Sequence, residues 1–303
     1  MSNSELKYRL KGNESFCIRE GWLNKGITAI QDEPSVFSMD NAMDTLGIGS
    51  KMVKSLKYWL LASGIAEEKK VKGSKNILQL TDELGVVIDR YDKYFEDIFT
   101  LWILHYNIVK KLEMCTIWNL FFNKFDVTDF SKTNMVKKLS DEFNKIYDKG
   151  DSVSKSIVDD CGCLLKMYAS TSELDNSDPE DNLSSPFSEL GLLRRSSKER
   201  SNYTKMRPVY DKLDKLVVLY IIVSNMTEEK RSVDIDTLVM QENNIGKVLN
   251  LDRTMINEYL DRLKQDKYIT FNRTAGLDMV YLEKSITPKD ILIDYYSQCE
   301  RDA

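Results

Sequence analysis

The order of local patterns between residues 40 and 84 constrains the fold more than any other part of the sequence. Residues 40–46 have the pattern of a short helix, and a turn follows at Gly47 and Gly49, because glycine adopts positive φ angles easily. Ser50 then stands at the N-cap position of a second helix. Residues 65–71 and 76–80 flank a glycine-containing connection, which predicts a β-hairpin. Helix, turn, helix and hairpin in this order predict a winged helix-turn-helix.

The second helix of this pattern separates apolar from basic residues. At about 100° per residue, one arc contains its apolar side chains: Met52, Val53, Leu56, Trp59 and Leu60. The opposite side contains Lys51, Lys54, Ser55 and Tyr58, with Lys57 on the flank. Residues 50–75 hold seven lysines and two acidic residues, in a chain whose net charge is −5. A surface whose charge opposes that of the whole chain is a candidate phosphate-binding surface.

The sequence therefore predicts that this region binds double-stranded DNA. The predicted contacts are Ser50, Lys51, Lys54, Lys57, Tyr58, Lys69, Lys70, Lys72 and Lys75, joined by Arg19 and Lys25 from the preceding glycine-punctuated segment. Two other interpretations stay open, namely a solvated face of a lysine-rich protein and a winged helix that forms a homodimer or binds other proteins. Arg19 and Lys25 could equally be solubilising charges beside a buried Trp22.

The whole sequence predicts a mainly α protein with small β-hairpin wings. Residues 1–90 form the N-terminal winged-helix domain, and residues 91–168 form a middle helical domain, because large apolar residues recur there at helical spacing. Residues 169–207 are a connection that is first acidic and then basic. Residues 208–303 have the patterns of an apolar helix at 209–225, a short helix at 234–241, a helix that begins at 251 and a hairpin, and this order predicts a C-terminal winged-helix-like domain.

The predicted C-terminal winged helix differs from the first in charge. The predicted helix that begins at residue 251 is expected to expose Thr254, Asn257, Glu258 and Asp261. Two carboxylates that face outward oppose phosphate binding, so protein contact is the expected role of this domain rather than DNA contact.

Composition limits the chemistry of the chain. His105 is the single histidine, so a catalytic triad or a multi-histidine metal site would have to include it. Of five cysteines only Cys161 and Cys163 are close in sequence, which is not a zinc pattern and predicts reduced thiols in a cytoplasmic protein. The sequence shows no P-loop, signal peptide or membrane-spanning run. We therefore expect no bound cofactor, no structural zinc site and no membrane partner. Metal chemistry by carboxylates alone stays open, with Mg²⁺ as the ion if the chain nicks DNA.

Motifs in roughly the first two-thirds of the chain match one known family. They are Phe16, Arg19, Gly21-Trp22-Leu23 and Lys25-Gly26; Leu46-Gly47-Ile48-Gly49, Met52-Val53 and Tyr58-Trp59; Leu84-Gly85, Asp92, Tyr94, Glu96-Asp97, Thr100-Leu101-Trp102, His105-Tyr106, Trp118 and Phe122-Asn123; and Ser185-Pro186-Phe187 with Glu189-Leu190-Gly191-Leu192. On these residues the chain resembles a bacterial domain-of-unknown-function family associated with DNA phosphorothioation and anti-phage defence genes, the SspB-like proteins. Lys93 departs from the family pattern, which often has a proline there.

The resemblance implies a role in DNA modification or antiviral defence, together with other proteins of such a complex. For the SspB-like members it also implies DNA nicking. Asp92, Glu96, Asp97 and His105 are then the catalytic candidates, because carboxylates around a divalent ion suit Mg²⁺. The same residues could instead cap helices, form ion pairs and fill a core, which would leave DNA binding without catalysis.

Overall fold

The computed structural model describes residues 6–71, 75–170, 185–196, 199, 201–227, 231–274 and 277–302. The chain divides into two compact units, Met1–Met206 and Arg207–Ala303. The mainly α class with small sheets is confirmed. Among the described helices, none is both long and apolar enough to cross a membrane.

The first unit is a helical body with short strands at its surface. Its helices are α1 (Trp22–Asp32), α2 (Ala42–Leu46), α3 (Ser50–Ala62), α4 (Gly85–Tyr91), α5 (Ile98–Val109), α6 (Thr116–Lys124), α7 (Lys132–Tyr147) and α8 (Ser154–Tyr168), with short 3₁₀ helices at Val36–Ser38, Gly150–Val153 and Pro186–Leu190. Its strands are β1 (Ala66–Lys69), β2 (Ile77–Leu80), β3 (Asp129–Ser131), β4 (Ala169–Ser170), β5 (Leu193–Arg195) and β6 (Asn202–Lys205).

One aromatic core joins the two segments that were expected to form separate N-terminal and middle domains. The ring of Trp59 in α3 packs edge-to-face on Trp118 in α6, with 5.3 Å between centroids. Both side chains are buried, as is every residue of α5 from Phe99 to Val109. Because this core is continuous, both segments lie within one compact unit, and the boundary expected near residue 90 is not a division of the structure.

The strands form two small sheets in this unit. β1 and β2 pair antiparallel, with Ala66 opposite Leu80 and Lys69 opposite Ile77. The second sheet has the order β3-β6-β5-β4, in which β4 and β5 run parallel. The segment expected as a connection, residues 169–207, therefore supplies three strands and a partly buried 3₁₀ helix to the first unit. Its acidic part, residues 171–184, lies outside the described residues.

The second unit is organised around one buried helix. It comprises a 3₁₀ helix at Tyr210–Lys212, the helices α9 (Lys215–Ser224), α10 (Ile235–Met240), α11 (Ile245–Val248), α12 (Arg253–Gln265) and α13 (Pro288–Asp302), and the strands β7 (Ser232–Asp234), β8 (Ile269–Thr274) and β9 (Leu277–Leu282). α9 is buried on all sides and contacts α12 and α13. The predicted hairpin is present as β8 and β9, and β7 adds a third strand beside β9. α13 was not predicted from the sequence.

Candidate nucleic-acid interface

A small apolar cluster fixes α2 against α3 and thereby presents the start of α3. Val36, Ala42, Leu46 and Val53 are buried together. Gly47 has φ 62°, a left-handed conformation that costs glycine little, and it ends α2. α3 begins at Ser50 with Gly49 as its N-cap, so Ser50 is exposed and lies inside the first turn instead of capping it.

Lys51 and Lys54 are the most available cations of α3. Both side chains are exposed in the first two turns of the helix. Within the described part of the chain, neither ammonium group is within 4.0 Å of a carboxylate, whereas several other lysines are paired. An unpaired exposed ammonium can meet a phosphate without first losing a protein partner.

Tyr58 was expected on the exposed side of α3, and this expectation was wrong. Its side chain is 2% exposed, and its hydroxyl donates to the carbonyl of Met114 at 3.0 Å. The guanidinium of Arg9 lies 5.0 Å from the ring centroid, and Gly12 sits directly against the ring. The N-terminal segment and the connection between α5 and α6 cover this side of α3. Tyr58 therefore cannot contact DNA. Ser55 is buried on the same side.

Lys57 forms an ion pair with a residue of the hairpin. Its ammonium lies 2.7 Å from a carboxylate oxygen of Glu68 in β1, and the hydrogen bond from Lys57 lowers the pKa of Glu68 below its usual value. Both side chains are about one-third exposed or less, with 27% for Lys57 and 36% for Glu68. The pair therefore ties α3 to β1, and Lys57 offers less net charge to a phosphate than Lys51 or Lys54.

The hairpin carries further exposed lysines. Lys69 ends β1 and Lys70 follows it, and both are exposed. Lys75 is exposed as well, with its ammonium 4.0 Å from a carboxylate oxygen of Asp40. Lys72 lies outside the described residues. Three of the four hairpin lysines thus lie at the surface.

Contacts with the loop after α1 hold the hairpin in place. The amide of Leu78 donates to the carbonyl of Pro34 at 2.8 Å, and the hydroxyl of Ser38 donates to the carbonyl of Asn76 at 2.8 Å. The side chain of Leu78 is buried. The position of β2 relative to α1 and α3 is therefore set by packing and hydrogen bonds.

Lys25 and Arg19 are partly committed to structural contacts. The ammonium of Lys25 donates to the carbonyl of Leu46 at 3.0 Å, so it satisfies an otherwise orphaned carbonyl at the end of α2. The guanidinium of Arg19 lies 5.9 Å from the ring centroid of Phe16 and 5.7 Å from that of Trp22. Arg19 is half-buried and Lys25 is exposed, and these contacts favour structural roles.

Of the catalytic candidates, the three carboxylates lie between the end of α4 and the start of α5. Asp92 is 9% exposed and accepts from the amides of Glu96 at 2.9 Å and Asp97 at 3.3 Å, and from the hydroxyl of Thr100. Burial raises the pKa of Asp92 above its usual value. Asp97 is the N-cap of α5 and accepts from the amide of Phe99 at 2.8 Å. The side chain of Glu96 is exposed, so only its backbone takes part.

His105 contacts aromatic side chains, not these carboxylates. It is fully buried, with Nδ1 2.8 Å from the hydroxyl of Tyr168 and its ring against Phe122. Across the described residues, no group of three or more His, Cys, Asp or Glu side chains could hold a metal ion. Asp92, Glu96, Asp97 and His105 therefore do not form such a group, and their role in catalysis stays a prediction.

Comparisons with known proteins identify a family from the sequence and similar folds among solved structures. A family model described as "Protein of unknown function (DUF4007)" matches residues 10–296. Two crystal structures described as SspB have a similar fold. The magnesium ion-bound form has a TM-score of 0.83 and 23% identity, covering 97% of this chain and 88% of that one. The other has a TM-score of 0.82 and 22% identity, covering 99% of this chain and 91% of that one. No curated protein matches the sequence.

Proposed function

The chain belongs to the family described as protein of unknown function (DUF4007), and from this premise we propose that it is a DNA-binding component of a bacterial DNA phosphorothioation or related anti-phage defence system. In this proposal α2, α3 and the β1–β2 hairpin act as a winged helix-turn-helix on double-stranded DNA. The fold shared with SspB and the resemblance of the motifs to SspB-like proteins support the choice of system.

One observation supports the DNA-binding proposal, namely the exposure of Lys51 and Lys54 and the lack of a carboxylate beside them among the described residues. In a chain with net charge −5, these two exposed lysines follow each other by one helical turn at the start of α3 and are unpaired within the described part of the chain. In helix-turn-helix proteins the first turns of the recognition helix enter the major groove, where flanking cations meet phosphates. Lys69 and Lys70 would contact the backbone beside it.

Lysine contacts of this kind give affinity with little sequence choice. Each ammonium is a flexible point charge without the planar fork with which arginine reads guanine. We therefore expect duplexes of unrelated sequence to bind with similar affinity. We also expect log Kd to rise with log salt, at ~0.9 per phosphate contact.

The test is fluorescence anisotropy with the full chain and labelled duplexes of several sequences, at four or more salt concentrations. Salt-dependent binding to all duplexes supports the proposal. Absence of binding at low salt would overturn it and leave two interpretations, a solvated lysine-rich face and a surface that binds other proteins or a second copy of the chain.

A second candidate function is metal-dependent nicking of DNA. It is favoured by one observation, that a similar fold has been seen in a magnesium ion-bound SspB structure. Supercoiled plasmid incubated with the chain, with Mg²⁺ and with excess EDTA, separates the two functions. Relaxed circles formed only with Mg²⁺ would establish nicking, and unchanged plasmid in both samples would leave DNA binding alone.

A further inference from the structure

Two cysteines that are far apart in sequence have adjacent sulfur atoms. Sγ of Cys17, in the segment before α1, lies 3.1 Å from Sγ of Cys163 in α8. Sγ of Cys17 also lies 3.4 Å from the carbonyl oxygen of Cys163. Since the sulfur atoms of a disulfide are ~2.05 Å apart, bond formation needs an approach of about 1 Å. All five cysteines lie in the described part of the chain, and none is in a disulfide bond.

The surrounding structure holds the two thiols next to each other. The segment that carries Cys17 is fastened on its N-terminal side by the amide of Lys11, which donates to Asp160 of α8 at 3.0 Å. Directly before Cys17, the carbonyl of Phe16 accepts from the indole of Trp59 at 2.9 Å. Directly after Cys17, the side chain of Ile18 is buried. The proximity of Cys17 and Cys163 is therefore fixed by contacts on both sides.

The two thiols differ in access and in acidity. Cys17 is half-buried, whereas Cys163 is almost fully buried. The hydrogen bond with the Cys163 thiol lowers the pKa of Cys17 below its usual value, and the cations of Lys166 and Arg19 add to this effect. Burial raises the pKa of Cys163. Thiolates are the reactive form of cysteine, so Cys17 is the thiol that an external oxidant would reach first.

We propose that Cys17 and Cys163 form a reversible thiol oxidation site whose oxidant is a peroxide. The Cys17 thiolate attacks one peroxide oxygen, the O–O bond breaks, and Cys17 becomes a sulfenic acid while water or an alcohol leaves after protonation. The Cys163 thiol then attacks the sulfenic sulfur, the S–O bond breaks, and water leaves. The two thiols lose two electrons in total and form one disulfide, while the peroxide is reduced by two electrons.

The disulfide would connect the N-terminal segment covalently to α8. It would also restrain the neighbouring Phe16, whose carbonyl accepts from Ser55 at 3.3 Å as well as from Trp59, both in α3. The oxidation of the pair would thereby restrain a segment that is hydrogen-bonded to α3, the helix that carries Lys51 and Lys54. The oxidation site itself does not depend on DNA binding.

The test begins with the full chain, fully reduced and then treated with hydrogen peroxide. Thiols are counted in denaturant, and disulfides are mapped by mass spectrometry of non-reduced peptides. We expect two of the five thiols to be lost in one intramolecular link between Cys17 and Cys163, and to return with dithiothreitol. Retention of all five thiols, or a link between other cysteines, would overturn the proposal.

Three variants assign the roles. The Cys299→Ser variant removes an exposed thiol and should still lose two thiols. The Cys163→Ser variant should form no intramolecular link, and its Cys17 should be labelled by dimedone, which traps sulfenic acids. The Cys17→Ser variant should keep its remaining four thiols under the same treatment. Equal thiol loss in Cys17→Ser and in the unmodified chain would contradict the proposal, and peptide mapping of the unmodified chain decides the matter without any variant.

Discussion

Nδ1 of His105 lies 2.8 Å from the hydroxyl of Tyr168, and both side chains are fully buried. Burial raises the pKa of Tyr168 well above its usual value, so the hydroxyl stays protonated at neutral pH. The ring of His105 also packs on Trp102 and Phe122. The single histidine of the chain is thus part of the aromatic core that joins α5, α6 and α8.

We expect Tyr168→Phe to destabilise the chain by ~1–3 kcal/mol, because it leaves a buried polar atom of His105 without this partner. Thermal or urea unfolding measures the loss. Tyr94→Phe is the control, since the Tyr94 side chain is 69% exposed and its hydroxyl can bond to water. Equal stability of the two variants would show that the His105–Tyr168 contact contributes little.

Of the carboxylates before α5, the side chain of Asp97 should contribute to stability and that of Glu96 should not. Asp97→Ala removes the N-cap of α5 and should cost ~1 kcal/mol of folding free energy. Glu96→Ala should change stability by less than ~0.5 kcal/mol, because its side chain is exposed. Unfolding measurements compare the two variants. An Asp97→Ala chain with unchanged stability that had lost a magnesium-dependent nicking activity would assign Asp97 to catalysis instead.

Local periodicity predicted much of the fold. It could not show which faces of a helix are covered by other segments of the same chain. The order α2, α3, β1, β2 follows from local patterns at residues 40–84. Tyr58 was misplaced because its cover comes from Arg9 and Gly12, which are distant in sequence. The contact between Cys17 and Cys163 has no local signal either, since 146 positions separate them.

The helix α1 was missed because Gly21 and Gly26 were interpreted as breaks. Gly21 has φ 73° and does precede the helix, but Gly26 lies inside it and faces α3. A Cβ atom at Gly26 would lie 2.6 Å from Cδ1 of Leu60, whose side chain is fully buried. Gly26 therefore permits a close approach of two helices, which no pattern within one helix reveals.

We predict that Gly26→Ala destabilises the chain by ~1–3 kcal/mol, because the buried Leu60 side chain cannot move away freely. Gly162→Ala is the matched control inside α8. Its added Cβ would meet only the mobile end of Lys132, at 3.3 Å, so the better helix propensity of alanine should leave stability equal or higher. Chemical unfolding of both variants measures the difference, and a neutral Gly26→Ala would mean that α1 and α3 can separate at little cost.

Stability should fall with rising pH because of Asp160. Burial raises the pKa of this carboxyl to about 7, above its ordinary 3.8. Between these values the folded chain binds a proton that the unfolded chain has released. This stabilisation is fully present below pH 3.8 and is lost as the pH rises through about 7. The contribution of one group is at most ~1.4 kcal/mol per pH unit.

The Asp160→Asn variant isolates this contribution. The asparagine oxygen can still accept from the amide of Lys11, but the side chain no longer titrates. We expect the unfolding free energy of the variant to depend less on pH between 4 and 7 than that of the unmodified chain. Asp159→Asn removes the more exposed partner of Lys11 and should keep most of the original slope, because burial is the largest cause of the raised pKa of Asp160 and the charge of Asp159 a smaller one. Identical pH profiles for Asp160→Asn and the unmodified chain would contradict the assignment.

The double variant Lys51→Ala with Lys54→Ala tests the proposed DNA interface. The apolar residues of α3 that hold it in the core, Val53, Leu56, Trp59 and Leu60, are untouched. We therefore expect the fold to survive. Loss of two phosphate contacts should weaken binding to all duplexes alike and reduce the slope of log Kd against log salt by roughly two.

The matched control for this variant is Lys137→Ala with Lys138→Ala. It removes the same charge from an exposed pair on α7, which lies outside the proposed interface. Anisotropy titrations at several salt concentrations compare the two. A general effect of net charge would lower the affinity of both variants equally, whereas contacts made by α3 require a larger loss in the Lys51 and Lys54 variant. Equal losses would therefore remove α3 from the DNA-binding surface, even if the chain as a whole binds DNA.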